Sequence, residues 1–317
     1  MAQLIKLQDY ISRYEMDLYR YPTQFVRLKK QQWEKMKDHW ENGDTHEEAH
    51  GSMEEKETVK DRLFSFFKRR GDQEEIEDLT MYAESDDEEE FAIDAERVEA
   101  STEDELKQVF LENIMDFQLK WASSTISQRS YVDNSYYYDE RLKYLLQRFP
   151  DNILVLYHPI LKIKKAPVEF ETILITPTAV WCLTFLEFEE GTAYIGGKDH
   201  FWLKKWGREE EKVLNPLITL QRMETIIDQI LRFAGVDLPI HKGVICRNGY
   251  IDYPQAPHHV HLLDKRKHEG WFESLRSISS PIKGVQLKAA QAILDYGHTT
   301  SFKRIGMDED RFVGEEP

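Results

Sequence analysis

The sequence predicts an α/β protein in which a mixed sheet is flanked by helices, with a helical extension at the N-terminus. Three observations lead to this fold class. Apolar residues recur at helical spacing in 142–149 and again after Asn215, and the chain between these segments contains short strand-like apolar runs. Alternation of helix-type and strand-type periodicity along one chain is typical of layered α/β folds.

The N-terminal segment, residues 1–41, has the apolar spacing of two helices. Apolar side chains alternate three and four positions apart, as in a coiled-coil seam, at Leu4, Leu7, Ile11, Tyr14 and Leu18. Pro22 interrupts this pattern, and a second apolar stripe that includes Trp33 follows it. We therefore predict helices at about 3–18 and 22–40, which pack on the next helix or on a second copy of the chain.

Residues 42–100 are polar and acidic and show no sustained apolar periodicity. This composition predicts a disordered linker. Residues 101–135 are predicted to contain a connecting helix, because Thr102 and Glu105 have the spacing of a capping box and an apolar face continues to Trp121.

Residues 136–265 contain the elements of the predicted sheet, and residues 266–317 are predicted to form C-terminal helices and a tail. The expected helices of the sheet domain are 138–149 and 215–234, and Asn215 is predicted to cap the second helix ahead of Pro216. The expected strands are 153–160, 168–176, 179–187, 243–246 and 259–263. A turn at 176–179 with proline in second position joins two of these strands.

Composition limits the classes of function. The chain has 317 residues and a formal net charge of −16, which argues against tight, nonspecific binding of nucleic acid. No apolar run reaches the length of about 18 residues that a membrane-spanning helix needs. Cys182 and Cys246 each lie in a strand-like apolar run, so we expect two reduced core thiols and a cytoplasmic protein.

Residues 136–263 resemble the nuclease-related domain known as NERD, which is common in bacterial proteins. The features that carry the resemblance are Asp139 and Glu140 at the start of the first helix, the hairpin at 171–183, the aromatic Trp202 and Trp206, and Asn215 and Pro216 followed by Gln221. The stretch 20–30 resembles an extension found with this domain in Bacillus-type proteins.

The resemblance implies a restriction-endonuclease-like core with a metal site. In that family a helix glutamate, a strand aspartate and a Glu-x-Lys pair act together, and the acids hold the Mg²⁺ that activates the attacking water. Glu140 matches the helix glutamate, and Glu171 falls where the aspartate is expected. Phe185 and Glu187 fall on the glutamate and the lysine of the last motif.

This departure from the family pattern predicts a degenerate active site. Sliding the second strand by two residues keeps the same face and places Glu187 on the glutamate and Glu189 on the lysine, so the lysine is lost in either register. The predicted catalytic residues are Glu140, Glu171 and Glu187. Glu140 and Glu171 are the predicted ligands if Mg²⁺ binds, and otherwise no cofactor is expected.

Each of these residues also has an ordinary structural interpretation. Glu140 suits the first turn of any helix because of the helix dipole, and Glu187 suits the end of a strand. A relocated lysine would come from Lys164, Lys198 or Lys204, which are equally typical surface charges. The histidines within 258–261 lack a third ligand at recognisable spacing and are predicted to be plain strand residues.

Two functions are therefore expected from the sequence. The first is a binding or scaffold module on a nuclease-like fold whose catalytic lysine is gone, with a protein partner or self-association through the N-terminal helices. The second is an Mg²⁺-dependent nuclease that uses Glu140, Glu171 and Glu187 with a relocated lysine. The missing lysine and the acidic net charge favour the first.

Overall fold

The computed structural model describes residues 1–42 and 100–304. The predicted linker at 42–100 lies almost wholly outside the described residues, as does the end of the predicted C-terminal tail. The chain divides into two compact units, one formed by Met1–Gln24 with Met115–Pro317 and the other by Phe25–Ile114.

A six-stranded mixed sheet forms the centre of the first unit. Its strand order is β1-β3-β6-β7-β11-β13. The strands are β1 (Gln3–Leu7), β3 (Leu154–Tyr157), β6 (Thr172–Ile175), β7 (Val180–Phe185), β11 (Ile240–Cys246) and β13 (Val260–Asp264). β3, β6 and β7 pair antiparallel, whereas β1, β11 and β13 join parallel to their neighbours. The predicted mixed α/β sheet is confirmed.

The central strands and the two main helices lie close to their predicted positions. The helices are α3 (Glu140–Arg148) and α4 (Pro216–Phe233). Asn215 caps α4 by accepting a hydrogen bond from the Leu217 N–H at 3.0 Å, and Pro216 occupies the first turn. The predicted cap is therefore confirmed.

The predicted strand at 153–160 is shorter than expected. The backbone of His158 takes a positive φ of 46°, which ends β3, and a separate hairpin of β4 (Ile160–Ile163) and β5 (Ala166–Glu169) follows. Lys164, with φ of 59°, lies in the turn of this hairpin. Because the apolar run continues past His158, the sequence pattern does not show that the strand ends there.

The prediction of a helix at about 3–18 is wrong. Gln3–Leu7 forms β1, which pairs parallel with β3 at one edge of the main sheet, and Arg13–Glu15 forms a single 3₁₀ turn. All five residues of β1 are buried, and its sequence Gln-Leu-Ile-Lys-Leu does not alternate between apolar and polar residues. The pattern of a half-exposed strand is therefore missing. Pairing with a strand about 150 residues away along the chain (Gln3 with Leu154) overrides the local helical spacing.

Helices cover both faces of the main sheet. α3 and α5 (His268–Arg276) bury apolar residues in one cluster with Leu183 of β7. α4 packs on β7 and β11, and α6 (Gly284–Leu294) packs on α4 and β6. Because adjacent side chains of a strand point to opposite faces, Leu183 faces the α3 side and Cys182 faces the α4 side.

A second sheet of four strands was not predicted. Its order is β10-β9-β8-β12, formed by β8 (Ala193–Ile195), β9 (Phe201–Trp206), β10 (Glu209–Leu214) and β12 (Tyr250–Asp252). β10 reads Glu-Glu-Glu-Lys-Val-Leu, so it carries no apolar alternation. A short ladder of β2 (Gln128–Arg129) with β14 (Phe302–Lys303) completes the strands of the described residues.

The second unit is helical where the structure describes it. It contains most of α1 (Tyr21–Asn42) and the first part of α2 (Glu103–Trp121). The two helices pack through Trp33 and Phe110, whose ring centroids lie 5.1 Å apart. The predicted helix at 22–40 and its packing on the following helix are therefore confirmed.

Two smaller predictions can also be compared with the structure. Thr102 accepts a hydrogen bond from the Glu105 N–H at 3.2 Å, which is one half of the predicted capping box. The Glu105 carboxylate accepts from the N–H of Ser101 at 2.8 Å, one residue before the expected donor Thr102. Cys182 and Cys246 are buried free thiols, and burial raises the pKa of each to about 12. Within residues 1–42 and 100–304, no helix is both long and apolar enough to cross a membrane.

Candidate functional site

Glu140, the predicted helix glutamate, is the first residue of α3 and is exposed. The preceding Asp139 caps this helix by accepting hydrogen bonds from the N–H groups of Arg141 at 2.9 Å and Leu142 at 3.0 Å. The other oxygen of Asp139 accepts a hydrogen bond from the Tyr157 hydroxyl at 2.8 Å. Burial and the negative charge of Asp139 raise the pKa of Tyr157, so the phenol stays protonated. Asp139 is thus fully engaged, and Glu140 faces solvent.

Glu171, the residue predicted in the aspartate position, directly precedes β6 and is about a third exposed. Nδ1 of His158 lies 3.9 Å from one of its carboxylate oxygens. At that separation the contact is no more than a weak, solvent-screened pair.

Glu187 lies two residues beyond the end of β7, and only 10% of its side chain is exposed. Both of its carboxylate oxygens accept hydrogen bonds from the guanidinium of Arg247, one from Nε and one from NH2 at 2.9 Å. Arg141 of α3 also donates, from Nε to a carboxylate oxygen at 3.3 Å and from NH2 to the Glu187 backbone carbonyl at 3.4 Å. A carboxylate held by two arginines is a structural ion pair and not an open metal ligand.

The two arginines are themselves fixed by aromatic rings. The Arg247 guanidinium lies 4.3 Å from the Tyr144 ring centroid, and the Arg141 guanidinium lies 5.7 Å from that of Phe185. Burial opposes the charge of Arg247, but the hydrogen bonds and charge of Glu187 raise its pKa above the ordinary value. Cation–π contacts and charge-assisted hydrogen bonds therefore act on the same groups.

A tyrosine–histidine pair extends this cluster inward. The Tyr144 hydroxyl and His268 Nε2 are 2.8 Å apart, and the His268 ring stacks on Phe272 at an interplanar angle of 12°. Burial lowers the pKa of His268, and the positive charge of Arg247 lowers it further. Burial also raises the pKa of Tyr144. Both groups are therefore neutral near pH 7, and only Glu187 and the arginines carry charge.

The three predicted acids occupy separate environments. Glu140 is exposed at a helix start, Glu171 is near His158, and Glu187 is enclosed by arginines. Within the residues that the structure describes, no group of three or more acidic, histidine or cysteine side chains is arranged to hold a metal ion. The predicted assignment of Glu140 and Glu171 as ligands remains a prediction.

The lysine candidates from the sequence do not form a group. Lys164 lies in the β4–β5 turn, Lys198 is exposed, and Lys204 pairs with Glu211 at 2.5 Å. Lys242 of β11, which sequence reasoning missed, is buried with 2% of its side chain exposed, and in the sheet register it lies beside Cys182 of β7. Its neighbours along the chain are ordinary strand residues, so no spacing signals its role.

The Lys242 ammonium group is held by two residues of α4. It forms an ion pair with Glu224 at 2.5 Å and donates a hydrogen bond to Gln221 Oε1 at 2.9 Å. Gln221 Nε2 in turn donates to Glu224 at 2.9 Å. Gln221 was predicted to lie near the site from this helix, and the structure places it between the buried lysine and solvent.

The histidines near 258–261 do not form a metal cluster within the described residues. His259 is exposed, whereas the His261 ring packs on Trp181 with centroids 5.0 Å apart. Burial lowers the pKa of His261, and the neighbouring His241 lowers it further. His261 is thus a packed strand residue, as the ordinary interpretation predicts, whereas His259 lies in the turn before β13 and not in a strand.

Comparison with known proteins adds one partial relative. A protein of Geobacillus stearothermophilus described as an RNA 2′,3′-cyclic phosphodiesterase is 38% identical over 127 residues, a match that covers 37% of this chain. The matched part spans 36% of the relative, so the chain corresponds to about a third of that protein's length. No protein-family model matches the chain, and no solved structure matches it.

Proposed function

We propose that this chain is a nuclease-related module of the NERD type that acts by binding and does not hydrolyse phosphodiesters. The observation that carries the proposal is the enclosure of Glu187 by Arg141 and Arg247. The order of α3, β3, β6, β7, α4 and β11 is compatible with a restriction-endonuclease-like core, which supports the nuclease-related part of the proposal.

A metal ion would have to displace these arginines in order to use Glu187. Each charge-assisted hydrogen bond of this kind contributes about 1.5–3 kcal/mol. Phe185, which falls on the glutamate position of the family motif, offers an aromatic ring to Arg141 and no oxygen. The charge that a metal would supply to this position is thus already supplied by two guanidinium groups.

The distribution of charge is compatible with an anionic partner. Residues 43–99 carry 21 acidic and 7 basic side chains, and residues 305–317 carry 5 and 1. Of the totals of 58 and 42, the remaining residues therefore carry 32 acidic and 34 basic side chains. The negative charge that disfavours nucleic acid, −14 in 43–99 and −4 in 305–317, therefore lies outside the described residues, and the described part is close to neutral at +2.

A cleavage assay tests the proposal. The purified protein is incubated with linear DNA, supercoiled DNA and RNA in the presence of Mg²⁺ or Mn²⁺, beside Glu171→Ala and Glu140→Ala variants. We expect no cleavage above the level of the variants. Metal-dependent cleavage by the unaltered protein that either variant abolishes would overturn the proposal and establish the nuclease.

A phosphodiesterase with a relocated lysine is the second candidate. Two observations favour it: the buried Lys242 beside β7, and the partial relative described as an RNA 2′,3′-cyclic phosphodiesterase. Mass spectrometry of an oligoribonucleotide that ends in a 2′,3′-cyclic phosphate tests it directly. Ring opening that Lys242→Met abolishes would support this candidate, and an unchanged oligonucleotide supports the binding module.

We also make a proposal about how the helical unit of α1 and α2 could associate with a second copy of the chain. Leu28 and Met36 of α1 are buried, and Trp33 packs on Phe110 of α2, so much of the α1 seam is covered within the chain. We propose that any self-association uses the outer side of this helix pair. Light scattering on the purified protein, with and without Lys30→Glu and Lys35→Glu on the exposed side of α1, measures whether a dimer forms and whether that side takes part.

A further inference from the structure

A cavity of about 590 Å³ lies along the first half of α4, away from the Glu187 cluster. Its volume falls within the range of about 300–1,000 Å³ that is typical of small-molecule sites. It is lined by the loop before β9, by the first half of α4 and by residues near Tyr253, with Lys198 and Arg222 among the lining residues. The cavity shares no residue with the ion-pair cluster of Arg141, Glu187 and Arg247.

The wall of the cavity is held in place by specific contacts. Tyr253 is buried and packs edge-on against Trp202, with ring centroids 5.7 Å apart. Asn215 donates hydrogen bonds to the carbonyls of Gly197 at 3.3 Å and Asp199 at 2.8 Å while it caps α4. These contacts fix the loop before β9 against the start of α4, so the cavity is formed before any ligand binds.

The charged residues of the lining are Lys198 and Arg222, and both are cations. Arg222 uses one nitrogen to donate to the Glu169 carbonyl at 3.3 Å, which leaves its other donors available. Within the described residues the Lys198 ammonium has no carboxylate within 4.0 Å. The N-terminal end of α4 adds partial positive charge to the same region. The charged side chains of the lining are therefore both positive, and the Asp199 carboxylate close to the lining Gly197 offsets part of that charge.

The apolar part of the lining suits a flat ring. Ile218, with 41% of its surface exposed, and the nearby Ile226 and Pro257 provide an apolar surface next to Tyr253. The Thr225 hydroxyl donates to the Gln221 carbonyl at 2.8 Å and can still accept a hydrogen bond, and Gln221 Nε2 has a second hydrogen besides the one it donates to Glu224. A base and sugar could use these remaining positions, whereas an acyl chain could not.

We propose that this cavity binds a nucleoside monophosphate, with the phosphate between Lys198 and Arg222 and the base against Tyr253 and Ile218. A phosphate carries close to two negative charges and several acceptor oxygens, so it can satisfy both cations at once. A carboxylate carries a single charge and can neutralise only one of them. The proposal does not depend on whether the Glu187 cluster is catalytic.

Isothermal titration of the unaltered protein measures the ligand class. The probes are adenosine 5′-monophosphate, uridine 5′-monophosphate, adenosine, inorganic phosphate and decanoate. We expect at least one nucleotide to bind more tightly than adenosine and than phosphate, by about tenfold or more. The proposal is overturned if neither nucleotide binds at millimolar concentration, or if adenosine or decanoate binds as tightly as the better nucleotide.

Variants of the lining locate the binding. Lys198→Ala and Arg222→Ala should each weaken the nucleotide about tenfold, and Arg222→Lys should weaken it less. Lys165→Ala, in the exposed β4–β5 turn, is the matched control and should leave affinity unchanged. Thr225 is exposed on α4, so Thr225→Trp should fill the cavity and abolish binding without unfolding the protein, whereas Thr225→Ala should not. Unchanged affinity in Thr225→Trp, confirmed as folded by circular dichroism, would place any bound nucleotide elsewhere and refute the proposal.

Discussion

Arg247 donates hydrogen bonds to both carboxylate oxygens of Glu187, from Nε to one oxygen and from NH2 to the other. Arg247 directly follows β11, which ends at Cys246, and Glu187 lies two residues beyond the end of the adjacent parallel strand β7 at Phe185. Parallel neighbours end at the same edge of the sheet, so the side chains that follow them meet there. The pair thus closes the edge of the sheet at which the family resemblance predicts a metal ion.

The Arg247–Glu187 pair should contribute measurably to stability. Because Glu187 is 10% exposed, Arg247→Met should leave a poorly solvated carboxylate with Arg141 alone and lower the free energy of unfolding by about 1–3 kcal/mol. Urea unfolding of Arg247→Met, of Glu187→Leu and of the double variant measures the coupling energy between the two side chains.

The matched control for that experiment is Arg232→Met on α4. Arg232 pairs with Asp228 at 2.9 Å, but 78% of its side chain is exposed, so we expect a change of about 0.5 kcal/mol or less. An equal effect of the two arginine substitutions would show that the Glu187 cluster is only a surface ion pair.

A second buried pair should fix the N-terminal strand. The Lys6 side chain is fully buried on β1, pairs with Glu15, and donates to the Tyr10 carbonyl at 2.8 Å and to Thr299 at 3.0 Å. Lys6→Met should leave Glu15 without its cation and cost about 3–5 kcal/mol in the free energy of unfolding. Thermal and urea unfolding of this variant provide the measurement.

Removing the charge of Glu15 as well should recover much of the free energy of unfolding that Lys6→Met loses. Lys6→Met combined with Glu15→Gln removes both charges, and breaking a buried pair is costly mainly because one charge is left alone. If the double variant is no more stable than Lys6→Met, the lysine acts through its hydrogen bonds to Tyr10 and Thr299 and not through its charge.

A helix was predicted where the structure has β1, and the buried contacts of Lys6 show why. Lys6 is a charged residue inside a fully buried strand, and its partner Thr299 lies 293 residues further along the chain. No local pattern contains that information. By contrast, α4 was predicted almost to the residue, because Asn215, Pro216 and an uninterrupted apolar stripe signal a helix locally.

The candidate site was predicted only in part for the same physical reason. Glu187 was identified because it falls on the last motif of the family that the chain resembles, and the alignment of one short segment is local information. Its partners Arg141 and Arg247 lie 46 and 60 residues away along the chain, and only the sheet topology brings them together. The local sequence around a glutamate at a strand end is the same whether the side chain faces a metal ion, an arginine or solvent.

Acid should weaken the fold through His268. Its pKa lies below the ordinary 6.5 because of burial and the charge of Arg247. Between pH 6.5 and that lowered pKa, the unfolded chain binds a proton at this position that the folded chain does not bind. The free energy of unfolding therefore falls as the pH falls through this range.

Replacement of the imidazole isolates this contribution. His268→Gln keeps a side chain that can bond to the Tyr144 hydroxyl but cannot titrate, so the loss of stability below pH 6.5 should become shallower. Chemical unfolding at a series of pH values measures the slope, and His259→Gln, at an exposed position, is the matched control. A slope that His268→Gln leaves unchanged would assign the acid sensitivity to other groups, such as His241 and His261.

Introducing the catalytic motif of the family that the chain resembles should destabilise this protein and not activate it. In the double variant Phe185→Glu, Glu187→Lys, a lysine would replace the carboxylate that Arg141 and Arg247 share, so three cations would meet at a position that is 10% exposed. Removing the shared carboxylate should cost about 1–3 kcal/mol, as for Arg247→Met, and the added repulsion acts in the same direction. The carboxylate introduced in place of the Phe185 ring would reach Arg141, which already lies over that ring, and would offset part of the loss. We expect a lower midpoint in urea and no cleavage of DNA or RNA with Mn²⁺. A stable double variant that cleaves RNA would mean that the arginine cluster is a replaceable surface feature and that the chain retains the rest of a working nuclease site.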